Sequence, residues 1–121
     1  MVLKTKKVLI VDDELADLGS ARKLLEKEGF DVETADNGAS ALDILRKKKF
    51  NLILLDIKLP TLSGYDLARM IREKMDCSIK LIYFTIVPKS ELAFKEVDGF
   101  IQKPYSEKSF LKEVKRVLKW T

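Results

Sequence analysis

Two runs of the chain, Val8–Val11 and Leu52–Leu55, are apolar at every position. A strand with one wet face alternates apolar and polar residues, so an unbroken run of this kind belongs to a strand covered on both faces. Strands covered in this way are parallel and are joined by helical crossovers, which places the chain in the α/β class. Ile79–Phe84 and Phe100–Ile101 read as further strands, and the half-polar Val32–Ala35 reads as an edge strand. Amphipathic stretches alternate with these runs. Leu15, Leu18, Ala21, Leu24 and Leu25 share one helical face that ends at Gly29. A second stretch covers Ala39 to Lys48, and a third runs from Tyr65 to Met75 behind Ser63 as N-cap. The last carries Phe110, Leu111, Val114, Val117 and Leu118. Right-handed crossovers then give a doubly wound, five-stranded parallel sheet with helices on both faces.

A length of 121 residues predicts one domain, spanning 1–121. No run approaches the roughly 20 apolar residues that span a membrane, and MVLKTKK lacks the apolar core of a signal peptide. With Cys77 as the only cysteine, no intrachain disulfide forms, and a cytoplasmic location is expected. There is no histidine, which removes the commonest general base and zinc ligand. The net charge of +4 is uneven: residues 1–7 carry three lysines, and residues 102–121 carry six basic against two acidic groups. Lys47-Lys48-Lys49 is followed by Phe50, and no basic stripe interleaved with aromatics develops, so the charge reads as solvated faces rather than a nucleic-acid surface.

The residues that end the strands carry the chemistry. Asp12-Asp13 follow the first strand, Asp56 the third, Thr85 the fourth and Lys103 the fifth. Parallel α/β sheets bind ligands at the carboxyl ends of their strands, so these side chains converge on one edge. Crowded carboxylates repel unless a cation neutralises them, and oxygen ligands alone favour Mg²⁺, Mn²⁺ or Ca²⁺. Mg²⁺ fits best, because it accepts few protein carboxylates and keeps positions for a phosphoryl oxygen. A neighbouring carboxylate can then act as nucleophile toward phosphorus, with Lys103 and Thr85 neutralising the equatorial oxygens. The competing interpretation is that acids at strand ends merely cap helices, as Asp13 or Glu14 would at Leu15.

The segment Val8-Leu9-Ile10-Val11-Asp12-Asp13-Glu14 resembles the first strand and acidic pair of the receiver domains of two-component response regulators. Leu54-Leu55-Asp56-Ile57-Lys58-Leu59-Pro60 with Gly64 resembles that family's phosphorylation loop, and Thr85, Phe100 and Lys103-Pro104 complete the likeness. The resemblance covers essentially the whole chain and implies the flavodoxin-like strand order 2-1-3-4-5. It implies Asp56 as phosphoacceptor, with a metal held by Asp12, Asp13, Asp56 and the Lys58 backbone carbonyl, Asp13 most directly. Lys103 would pair with the phosphoryl group, Thr85 would move toward it, and Phe100 would turn inward as the second switch residue. A sensor histidine kinase or histidine phosphotransfer protein would be the donor. A downstream protein or a second copy would bind the face built from the fourth helix, fifth strand and fifth helix; the basic side chains Lys108, Lys112, Lys115, Arg116 and Lys119 of that last helix read either as a solvated face or as a surface for an acidic partner.

Two departures qualify this reading. Ile86 follows Thr85 where the family carries a small residue, and only seventeen residues separate Thr85 from Lys103, which predicts a fourth helix one turn short. Both suit a degenerate receiver that docks without being phosphorylated. An aspartate-nucleophile phosphohydrolase is a further alternative, but it would want an acid where Lys58 stands. No DNA-binding or catalytic region follows Thr121, so the chain reads as a stand-alone regulator or a fragment of a longer one.

Overall fold

The computed structural model of the protein describes residues 5–75, 78–93 and 95–119, so Cys77 lies outside the described residues. Five strands alternate with helices: β1 (Lys7–Val11), α1 (Leu15–Lys27), β2 (Asp31–Ala35), α2 (Gly38–Lys47), β3 (Leu52–Leu55), α3 (Gly64–Lys74), β4 (Lys80–Thr85), β5 (Gly99–Gln102) and α4 (Glu107–Leu118). Every strand pair is parallel, and the order is β2-β1-β3-β4-β5. The half-polar strand is at an edge, as its pattern predicts.

The unbroken apolar runs follow from the pleat, which sends alternate side chains to opposite faces. Val8, Ile10, Leu52, Leu54, Ile82 and Phe84 pack with Ala21 and Leu25 of α1 and Phe110 and Val114 of α4. Leu9, Val11, Ile53, Leu55, Leu81 and Tyr83 pack on the other face with Ala41 of α2 and Leu67 and Ile71 of α3. Ser63 caps α3 through the Asp66 N–H, and Asn37 caps α2 through the Ser40 N–H. Leu15 departs from expectation: at the first position of α1 it is 72% exposed, and the helix buries Leu18, Ala21 and Leu25 instead.

The segment between β4 and β5 corrects the sequence expectation of a shortened fourth helix. Its described residues form a single 3₁₀ turn, Lys89–Glu91, and α4 is therefore the helix that follows β5. Tertiary anchoring outweighs local helix propensity here. Leu92 and Val97 pack onto the α2/α3 side of the core. At the far end, the Arg72 guanidinium donates to the Glu96 carbonyl at 2.8 Å and the Ile79 carbonyl at 2.5 Å, and pairs with Asp98 at 2.9 Å. Asp98 Oδ2 also accepts from the Leu81 N–H at 2.9 Å. Arg72→Ala is expected to cost about 2–3 kcal/mol, since it strips several charge-assisted bonds from a partly buried site. Urea unfolding should show a lower midpoint at unchanged m.

Candidate functional site

Hydrogen bonding carries the sheet one residue past three strand ends and so places the site. The Asp12 N–H donates to the Ala35 carbonyl at 3.1 Å, the Asp56 N–H to Val11 at 2.9 Å and the Lys103 N–H to Thr85 at 2.9 Å. Side chains rooted on such backbone hold their positions closely. Among the described residues, the buried polar or charged side chains are Asp12, Asp56, Thr85 and Lys103. All four stand at the carboxyl ends of strands.

One carboxylate oxygen from each of Asp12, Asp13 and Asp56 lies within 4.8 Å of the other two; Asp12 and Asp56 are buried and Asp13 is exposed. Asp12 Oδ1 accepts the Glu14 N–H at 2.9 Å, whereas Glu14, at the N-cap of α1, makes no side-chain cap bond. Helix capping by Asp13 or Glu14 therefore does not account for the acidic cluster. The Lys58 N–H donates to Asp56 Oδ1 at 3.3 Å, orienting that carboxylate. Tight turns bring the loop back: the Gly64 N–H donates to the Ile57 carbonyl at 2.9 Å, and Thr61 adopts φ 67°.

Lys103 Nζ bonds Asp12, sits 2.9 Å from Asp17 and 3.5 Å from Asp56, and lies 4.6 Å from the Phe84 ring centroid. Burial pulls the ammonium pKa down, but the hydrogen bonds to Asp12 and Asp17 outweigh it and hold the pKa above the usual lysine value. Burial pushes the Asp12 carboxyl up to about 6, against the opposing pull of Lys103 and the Glu14 N–H. At neutral pH both groups are charged.

Thr85 Oγ1 accepts the Val87 N–H at 3.2 Å, which leaves its own hydroxyl proton available to donate. Ile86 is 59% exposed, and its carbonyl accepts from Gln102. Phe100 is half-buried on the α2/α3 side, and its N–H donates to Glu113 Oε2 at 2.9 Å. On α4, Lys115 pairs with Glu28 at 2.7 Å and Arg116 with Glu113 at 2.6 Å, so part of the basic face is neutralised internally. Asp17 and Phe84 were missed in the sequence. The available signal for Asp17 was its position one turn before Ala21, on the stripe that faces the sheet.

The chain matches the response regulator receiver domain over residues 8–115 and belongs to that family. It is 32% identical over 120 residues to the probable transcriptional regulator ycf27 of Porphyra purpurea, covering 94% of this chain and 48% of that protein. A CheY-like response regulator receiver domain protein from Methanospirillum hungatei JF-1 has the same fold at TM-score 0.87 and 32% identity, covering 96% of this chain and 95% of the other. The response regulator TrrA of Thermotoga maritima, solved in complex with Mg²⁺ and BeF, matches at TM-score 0.85 and 30% identity, covering 93% and 99%. The chain spans about half the length of the curated relatives it matches. It is a receiver domain of two-component signalling, a class that binds Mg²⁺ at an acidic pocket and pairs with histidine kinases and downstream effectors. No helix among the described residues is long and apolar enough to cross a membrane.

Proposed function

We propose that the chain works as one cytoplasmic receiver unit in which Asp56 accepts a phosphoryl group from a phosphohistidine on a partner kinase or phosphotransfer protein. The observation that carries this reading is the gathering at one sheet edge of Asp12, Asp56, Thr85 and Lys103, the buried polar side chains among the described residues, beside the exposed carboxylate of Asp13. Oxygen donors that close together, two of them buried, suit a hard divalent cation. Asp12, Asp13, Asp56 and the Lys58 carbonyl would hold Mg²⁺ or Mn²⁺. Such an ion, when bound, neutralises phosphoryl oxygens and lowers the charge the nucleophile must approach.

The chain's own groups do the rest. An Asp56 carboxylate oxygen forms the new bond to phosphorus as the bond to the donor's imidazole nitrogen breaks, and that nitrogen then takes a proton. Lys103 supplies positive charge toward Asp56, and the Lys58 N–H orients the nucleophile. The Thr85 hydroxyl can donate to the added oxygens. Driving a two-state equilibrium from 1:99 to 99:1 needs about 5.5 kcal/mol, more than the roughly 1.5–3 kcal/mol of one charge-assisted hydrogen bond. Thr85 and Lys103, on adjacent strands, must therefore act together. Movement of Thr85, with Phe100 turning inward, would alter the face formed by β5, α4 and the segment before β5. A downstream protein or a second copy would read that face. The chain is thus a phosphoacceptor rather than a turnover enzyme.

Adding beryllofluoride with Mg²⁺ tests the reading. Amide NMR shifts should centre on Asp56, Lys58, Thr85 and Lys103, need both components, and vanish in Asp56→Asn. Shifts that persist in Asp56→Asn, or that never arise in the wild type, would contradict it. Asp12 adds a pH prediction. A proton on Asp12 competes with the metal, so Mg²⁺ affinity should be flat above about pH 7 and fall roughly tenfold per unit below about 6. Mg²⁺ titrations across pH 5–8 check the slope.

A docking-only receiver is the second reading, favoured by the segment between β4 and β5, whose described residues form only one 3₁₀ turn in place of a helix. It predicts partner binding that is the same in wild type and Asp56→Asn, with no beryllofluoride response.

A further inference from the structure

Lys103 is shared among three carboxylates. Its ammonium has three N–H donors and meets three carboxylates, but unequally: it bonds Asp12, lies 2.9 Å from Asp17, and is 3.5 Å from Asp56. Asp17 belongs to the first turn of α1, outside the phosphoacceptor loop, and its side chain is only 32% exposed. It is not among the three carboxylates whose oxygens cluster for a cation. Phe84 backs the ammonium at 4.6 Å.

We propose that Asp17 is a positioning residue that draws Lys103 away from Asp56 and sets how strongly the site takes a phosphoryl group. The proposal rests on Asp56 being the phosphoacceptor. A phosphoryl group there adds about 1.5 to 2 negative charges and three acceptor oxygens. It must win Lys103 from Asp17, because an ion pair made in only one state biases the equilibrium toward that state. Asp17 therefore opposes phosphorylation and favours loss of the group, and its pairing with Lys103 ties α1 to the end of β5 only while the site is unmodified.

The test measures beryllofluoride affinity at saturating Mg²⁺ in the full chain for wild type, Asp17→Asn, Asp17→Ala and Asp17→Glu. Asp36→Asn is the charge control. Asp36 is an exposed carboxylate just past the end of β2, at the same sheet edge, and hydrogen-bonds Asn37 rather than Lys103. Binding should tighten about three- to fivefold in Asp17→Asn and Asp17→Ala, while Asp17→Glu and Asp36→Asn stay near wild type. Thermal melts of the same proteins establish that each is folded. Unchanged or weaker binding in both Asp17→Asn and Asp17→Ala, with the wild type responding normally, would overturn the role of Asp17 alone. Equal tightening in Asp36→Asn would also overturn it, since the effect would then be general charge. No response in the wild type would overturn both this proposal and the reading of Asp56.

Discussion

Replacing Lys103 with alanine is expected to slow phosphorylation of Asp56 by about a hundredfold or more, the usual loss when a preorganised charge aimed at a transition state is removed. The Lys103 side chain is 93% buried and its ammonium lies 3.5 Å from Asp56, so its electrostatic effect is little screened. The same substitution leaves Asp12 and Asp56 buried without their counter-charge, at a cost of about 3–5 kcal/mol in the metal-free protein. A divalent cation neutralises the same carboxylates. Mg²⁺ should therefore raise the melting temperature of Lys103→Ala more than that of the wild type. Thermal melts with and without Mg²⁺, paired with phosphorylation time courses, check both halves. Equal metal responses in the two proteins would mean that Lys103 does not offset the acidic cluster.

Gly64→Ala is expected to be the most damaging single methyl group in the loop. A Cβ there would lie 2.1 Å from the Asp56 carbonyl oxygen and 2.7 Å from Ile57 Cα. Both are backbone atoms and cannot rotate away, and the Gly64 N–H is bonded to the Ile57 carbonyl on the same loop. Either α3 or the Asp56 loop must shift. A stability loss of about 3 kcal/mol or more follows, and displacing Asp56 by even about 1 Å should weaken beryllofluoride binding tenfold or more. Gly38→Ala is the instructive contrast. The three atoms nearest its Cβ would all belong to the Leu62 side chain, the closest at 2.8 Å, and Leu62 can turn. Urea unfolding and beryllofluoride titration should rank Gly64→Ala well below Gly38→Ala in both respects.

Much of this architecture was legible because its cause is local and repetitive. Val8–Val11 and Leu52–Leu55 can be apolar throughout only if both faces are covered, and helices pack on both. Asp12, Asp56 and Lys103 were legible because ladder hydrogen bonds extend one residue beyond each strand, so a strand-end position in sequence is a fixed position in space. Asp17 was harder to see. Whether Leu15 or Asp17 turns inward depends on the rotation of α1 and on where the sheet edge stops, and neither is encoded in helical periodicity alone. The segment before β5 was misread for a related reason. Its length already argued against a full helix, but its anchors, Arg72 to the Glu96 carbonyl and to Asp98, join residues more than twenty positions apart. No local pattern announces such a pair.

The metal-dependent acceptance of a phosphoryl group by Asp56 is tested most directly by incubating the chain with acetyl phosphate, with and without Mg²⁺, followed by borohydride reduction and peptide mass mapping. Borohydride converts an aspartyl phosphate to homoserine and leaves unmodified aspartate untouched. The expected result is homoserine at position 56 alone, dependent on Mg²⁺ and lost in Asp56→Asn. Reduction at another carboxylate, or none at Asp56 under conditions where Mg²⁺ is bound, would contradict the account.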